Sequence, residues 1–170
     1  MSLFVDAIGR EVAELDANGI RVKFIGDVEA LNSALRGATA AAEQRTAANT
    51  RMDLVIAVAY GGRWDLTQAA RRLAVEAAAG RLDPASIDEA TLAAALQTGA
   101  LPNVDLLIRT GGEKRISNFL LWDVAYAELF FSDMLWPDFT ATELRKAFEF
   151  YGQRQRRFGQ TGEQIGAVNC

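Results

Sequence analysis

The sequence predicts an α/β fold: an open, mainly parallel sheet flanked by helices. Three observations carry that prediction. Two apolar runs, Leu54-Val-Ile-Ala-Val-Ala-Tyr60 and Val104-Asp-Leu-Leu-Ile108, have the near-continuous hydrophobicity of strands covered on both faces. Segments with helical spacing of apolar residues stand between the strand segments. The connections are short, and strands alternating with helices in that way build parallel sheets. The chain has 170 residues, 50% of them apolar, which suits one domain over 1–160 and a flexible tail over 161–170.

Element by element, Leu3, Ala7, Ile8, Val12 and Leu15 recur at helical spacing and predict a helix over 3–18, stopped by Asn18-Gly19. Ile20-Arg-Val-Lys-Phe-Ile25 alternates apolar and basic residues and predicts a strand. Residues 28–48 are alanine-rich and predict a long helix. The strand at 54–60 follows, closed by Gly61-Gly62. A helix over 64–79 ends before Gly80, and a shorter one runs from Ser86 to about Leu96. The strand at 104–108 leads directly into Arg109-Thr-Gly-Gly112. Residues 117–126 predict a helix, 128–131 a short strand, and 140–158 a last amphipathic helix with a basic end. In open parallel sheets ligands lie at the carboxyl ends of strands. Two such ends carry paired glycines beside arginine, Tyr60-Gly-Gly-Arg63 and Ile108-Arg-Thr-Gly-Gly112, and both are expected on one rim of the sheet.

Composition removes several function classes. The net charge of −4, from 18 basic and 22 acidic side chains, argues against general nucleic-acid binding. Cys170 is the single cysteine, so no disulfide forms within the chain, and no signal peptide is evident; the expectation is a cytoplasmic protein. No apolar run approaches the roughly 20 residues of a membrane span, so any membrane contact is peripheral. Histidine is absent, which removes the commonest general base and the usual zinc ligands. A bound metal would be a hard, oxygen-held ion such as Mg²⁺.

The chemistry concentrates in Arg109-Thr-Gly-Gly-Glu-Lys-Arg-Ile-Ser-Asn118. Gly111 and Gly112 allow a sharp turn that could aim backbone amides at a ligand. Arg109 and Arg115 can each fork onto phosphate oxygens. Ser117 stands where the next helix should begin, placed to cap it or to donate to an anion at its positive end. Together these residues make a diphosphate cradle. The plainer reading is an ordinary turn whose arginines pair with surface carboxylates. Trp64, Trp122 and Trp136 read as core or interface aromatics, Asp138 as a turn former, and Arg63 as a structural residue that caps the rim or pairs with Asp65.

The run from Arg109 to Phe131, with Tyr60-Gly-Gly-Arg-Trp-Asp65, Trp136-Pro-Asp-Phe139 and Arg154-Gln-Arg-Arg-Phe-Gly159, resembles the cis-prenyltransferases of the undecaprenyl diphosphate synthase family, in order and spacing, over about 160 residues. The resemblance implies condensation of isopentenyl diphosphate onto an allylic diphosphate, usually farnesyl diphosphate, to make undecaprenyl diphosphate for the cell-wall lipid carrier. It implies that Arg109, Arg115 and Ser117 hold isopentenyl diphosphate. It implies that Glu128 helps coordinate Mg²⁺, and that Arg157 and Gly159 reach into a partner subunit's site in a homodimer. Membrane association would follow from the lipid product. Phe4, Met52, Leu54 and Ile56 are candidate walls for the growing chain, although core packing is the weightier reading for each.

The sequence departs from the family in what it lacks. The family's opening strand and its aspartate-glycine-asparagine-glycine-arginine loop, which supplies the catalytic aspartate, have no counterpart; Ile25-Gly26-Asp27 and Tyr60-Gly61-Gly62-Arg63 are the nearest stretches. Lys114 stands where many relatives place histidine. No catalytic residue is therefore assigned. The expectation is a truncated form holding the isopentenyl diphosphate site; the alternative is a non-catalytic partner subunit of a prenyltransferase. Retention of Arg109, Arg115 and Ser117 favours the first.

Overall fold

The structure, a computed structural model, describes residues 2–154, and side chains from residue 9 onward. The expected tail, together with Arg157 and Gly159, lies outside the described residues. The chain divides into two compact units, Met1–Ala100 and Leu101–Cys170.

The first unit is built on a parallel strand pair. Helix α1 (Ser2–Ala17) leads through Gly19, at φ +71°, into strand β1 (Ile20–Ile25). A short 3₁₀ turn (Val28–Ala30) precedes helix α2 (Ser33–Thr46), which crosses over to strand β2 (Met52–Ala57). The long helix expected over 28–48 is thus interrupted, because Asn32 takes an extended conformation and its side chain accepts from the Leu35 amide as an N-cap. β1 and β2 pair in parallel from Ile20 against Met52 to Ile25 against Ala57. Val12 of α1 and Ala42 of α2 are buried together, with Phe24 and Ala38 packed on them.

Side chains seal the outer edge of β1. The amide of Val22 donates to Thr46 Oγ1 at 2.9 Å, that of Phe24 to Glu43 Oε1 at 2.8 Å, and that of Gly26 to Gln97 Oε1. Three donors that would otherwise invite another strand are satisfied locally, one way proteins protect a sheet edge. β2 ends earlier than the apolar run suggests, at Ala57, since Ala59 turns to φ +47°. Its residues Leu54–Ala57 are half-buried rather than fully covered. Met52 is 48% exposed, so it is no core residue. Helix α3 (Gly62–Ala78), a second 3₁₀ turn (Pro84–Ser86) and helix α4 (Glu89–Ala95) complete the unit. α4 starts later than expected because Asp88, not Ser86, caps it, accepting from the Thr91 amide at 2.8 Å.

The second unit holds strand β3 (Leu106–Arg109) and strand β4 (Glu128–Phe131), again parallel, with Leu106 opposite Glu128 and Arg109 opposite Phe131. The helix expected over 117–126 does not form. Ser117, Asn118 and Leu120 take φ +46°, +64° and +45°, in the left-handed region that a right-handed helix cannot include. The crossover is a chain of turns instead. Trp136–Asp138 forms a 3₁₀ turn at Pro137. Helix α5 (Ala141–Gly152) packs on β4 through an edge-to-face contact of Phe150 with Phe130, centroids 5.4 Å apart. It stops at Gly152, short of the expected 158, where the Gln153 amide is shared between the Glu149 and Phe150 carbonyls. Trp136 is 75% exposed and stacked on Phe139, so it is not a core residue. Among the described residues no helix is long and apolar enough to cross a membrane.

Candidate functional site

The carboxyl end of β3 delivers Arg109 into the loop that follows. Gly111 and Gly112, at φ +88° and +76°, reverse the chain as glycine alone does easily. Their amides do not face a ligand, contrary to the sequence reading. Gly111 donates to the Met134 carbonyl at 2.7 Å and Gly112 to the Ser132 carbonyl at 3.0 Å, which continues the β3–β4 ladder beyond the strands. The turn is therefore anchored to the chain after β4, and the anion-binding capacity rests on side chains.

Those side chains do converge. Arg109 Nη1 donates to Ser117 Oγ at 2.8 Å, and Arg115 Nε donates to the same oxygen at 3.1 Å. Arg109 also donates to the Arg115 carbonyl. A hydroxyl oxygen has two lone pairs, so accepting from both guanidiniums leaves the Ser117 proton to be donated elsewhere. Ser117 caps no helix, and its left-handed backbone puts Oγ between the arginines. Three left-handed non-glycine residues within four positions are costly, on the order of 1–3 kcal/mol each, and such strain concentrates where a site demands it. Arg115 also forms an ion pair with Glu113 of its own loop, as the plainer reading of the sequence expected for a surface arginine.

These residues border a pocket of about 230 Å³. Arg109, Arg115 and Ser117 are its polar lining residues; Leu107, Ile108, Ile116 and Phe119 are its apolar ones. The volume lies just below the roughly 300–1,000 Å³ usual for ligand sites, which suits a small amphiphile with an anionic head.

Glu128 is not part of that cluster. It opens β4 opposite Leu106, three register positions from Arg109, or about 10 Å along the strand. Its carboxylate lies 3.6 Å from Arg154 Nε, and Arg154 in turn sits 4.2 Å over the Phe150 ring. Among the described residues no three His, Cys, Asp or Glu gather into a metal cage. Mg²⁺ commonly takes one or two carboxylates and completes its shell with phosphate and water, so Glu128 fits as a single protein ligand to an ion that a diphosphate brings.

The first unit contains an arrangement that sequence reading missed. Asp65, 1% exposed, accepts from the Tyr60 hydroxyl at 3.1 Å and the Gln97 amide at 3.2 Å, with Arg72 3.9 Å away. The Gln97 side chain grips Gly26 at both its amide and its carbonyl. An acid in the first turn of a helix reads in sequence as a dipole partner, and nothing local signals its burial. Tyr60-Gly-Gly-Arg63 is thus fastened by a buried carboxylate, which meets Tyr60, Gln97 and Arg72.

The whole chain compares closely with known proteins. Residues 1–159 match the family model described as "Putative undecaprenyl diphosphate synthase". A ditrans,polycis-undecaprenyl-diphosphate synthase, (2E,6E)-farnesyl-diphosphate specific, from Xanthomonas campestris pv. campestris is 54% identical over 165 residues, 97% of this chain; the chain spans 64% of that relative's length. The crystal structure of lavandulyl diphosphate synthase from Lavandula x intermedia, in complex with dimethylallyl diphosphate, matches with TM-score 0.90 and 40% identity, over 94% of this chain and 69% of that one. A probable undecaprenyl diphosphate synthase from Campylobacter jejuni matches with TM-score 0.82 and 30% identity, over 94% and 72%. The α/β architecture and the parallel strand pairs agree with these matches, and the chain belongs to the undecaprenyl diphosphate synthase family of prenyltransferases.

Proposed function

We propose that this chain serves cis-prenyl transfer, the condensation of isopentenyl diphosphate with an allylic diphosphate, farnesyl diphosphate, toward undecaprenyl diphosphate, and that its second unit holds the isopentenyl diphosphate. The observation that carries the reading is one pocket lined both by Arg109, Arg115 and Ser117 and by four apolar residues, Leu107, Ile108, Ile116 and Phe119. A diphosphate head needs the first and a five-carbon isopentenyl tail the second. The names of the Xanthomonas and Lavandula relatives support the substrate class.

In this reading Arg109 and Arg115 carry the diphosphate charge by bidentate hydrogen bonds, and Ser117 donates its hydroxyl proton to a phosphate oxygen. Leu107, Ile108, Ile116 and Phe119 exclude water from the alkene end. The condensation breaks the allylic carbon–oxygen bond, releases diphosphate, forms a carbon–carbon bond to the isopentenyl unit and loses a proton from it. Mg²⁺, when bound, neutralises charge on the departing diphosphate, and Glu128 is the protein oxygen proposed to hold it. Arg157 and Gly159 are proposed to complete the site of a partner subunit in a homodimer. Sedimentation velocity should show a dimer, and a monomer at every concentration would remove that part.

Titration of isopentenyl diphosphate into the protein tests the core of the proposal. Arg109→Ala removes charge-assisted hydrogen bonds worth about 1.5–3 kcal/mol, so affinity should fall by roughly ten- to a hundredfold. Equal affinity in wild type and variant would sink the reading.

A further inference from the structure

The cradle meets its own counter-ion. We infer that Glu113 is an internal competitor for the diphosphate: it occupies Arg115 when the pocket is empty and must be released when an anion binds, so it sets the affinity of the site. This rests on the reading of the pocket as a diphosphate cradle.

The argument starts from where the donors point. Arg115 spends Nε on Ser117 Oγ at 3.1 Å and Nη1 on the Glu113 carboxylate. Arg109 spends Nη1 on Ser117 Oγ and the Arg115 carbonyl. The two contacts to Ser117 are compatible with a bound anion, because the hydroxyl can accept from both arginines and donate onward. The Glu113 contact is not. A carboxylate and a phosphate compete for the same face of a guanidinium, and two anions side by side repel. Glu113 and Arg115 are both well exposed, with side chains 49% and 62% accessible, so the pair is screened and weak, and a multiply charged diphosphate can displace it. Gly111 and Gly112 precede Glu113; outside the neighbouring residues, a Cβ at Gly111 would meet nothing within 4 Å and one at Gly112 only Asp133 Oδ1, at 3.7 Å. Glu113 thus sits on the exposed outside of a turn anchored through the Gly111 and Gly112 amides, where its side chain can swing off Arg115 while the anchored turn stays in place. Its function would be to hold the arginines in order without a ligand and to raise the concentration at which any anion occupies them.

The test uses the 170-residue chain and inorganic pyrophosphate, followed by calorimetry. Glu113→Gln should bind pyrophosphate about three- to fivefold more tightly than wild type, a change of about 0.7–1 kcal/mol. Glu149→Gln, an exposed acid on α5 outside the loop, removes the same charge and should change affinity less than twofold. In an Arg115→Ala background the gain from Glu113→Gln should largely vanish, because no guanidinium remains to be freed; a long-range charge effect would persist there. Unchanged or weaker binding by Glu113→Gln, or an equal gain from Glu149→Gln, overturns the competitor role while the cradle stands. Pyrophosphate that binds neither wild type nor Glu113→Gln overturns the cradle reading and the inference together. Binding seen only in Glu113→Gln supports the inference in its strongest form.

Discussion

The two strand ends that look alike in sequence behave differently in the structure. Tyr60-Gly-Gly-Arg63 follows β2 and Arg109-Thr-Gly-Gly112 follows β3, each a glycine pair beside arginine at the carboxyl end of a parallel strand. The first is fastened. A buried carboxylate, Asp65, takes the Tyr60 hydroxyl and the Gln97 amide, and Gln97 holds Gly26 at the end of β1. The second is open. Its arginines converge on one exposed hydroxyl, and among the described residues their carboxylate partner is Glu113 on the surface. Glycine pairs permit a turn in both places. What separates them is the location of the acid: a buried acid satisfies its surroundings and makes structure, whereas an exposed, displaceable one leaves cations for a ligand.

Two variants separate the fastened end from the open one, and a third probes the strand pair behind the fastened end. The largest effect is expected for Gly26→Ala. Gly26 has φ +115°, and a Cβ there would lie 1.8 Å from the Val58 carbonyl oxygen. The β1 and β2 ends must part, at a cost above about 3 kcal/mol, and circular dichroism should show loss of cooperative melting. A melting temperature within a few degrees of wild type would mean this end is not fastened. Next comes Arg109→Ala, with its ten- to hundredfold loss of isopentenyl diphosphate affinity and little change in melting, since Arg109 is a surface donor rather than a core element. A large drop in melting temperature would show that the open end is structural too.

The smallest effect concerns Asp53 on the face of the first strand pair. Hydrogen bonds from Arg21, opposite it in register, and from Lys23 lower its pKa from 3.8 to about 2. A folded-state pKa below the unfolded one contributes stability above the unfolded value, and that contribution is lost as pH falls through the folded one. The window is therefore pH 4 down to about 2. Arg21→Ala should flatten the acid limb of stability in that window by a small amount, because the pair is exposed. An unchanged acid limb in chemical denaturation would assign the fall to other carboxylates, such as Asp16, which Arg45 and Asn49 also hold below the ordinary value.

Much of the fold was legible from local pattern. The helix ending at Asn18-Gly19 and the strand at 20–25 follow from periodicity, and the apolar runs 54–60 and 104–108 overlap the strands that form at Met52–Ala57 and Leu106–Arg109; both signals depend only on near neighbours. The caps at Asn32 and Asp88 were present as residue types but were passed over within alanine-rich stretches. The cradle's membership was legible because two arginines, two glycines and a serine within nine residues must come close together whatever the backbone does.

The sequence by itself determined which residues form strands and helices and which side chains could meet an anion, since both follow from short-range spacing and chemical type. Tertiary structure decided what each polar group was left to do. The Gly111 and Gly112 amides went to Met134 and Ser132, across a register set by β3 against β4. The expected helix after Arg115 gave way to left-handed turns at Ser117 and Asn118. Asp65 is buried and meets the Gln97 amide, 32 residues away, while Glu113 stays at the surface. A hydrogen bond is satisfied by whichever partner is nearest in space, and only the folded chain determines that.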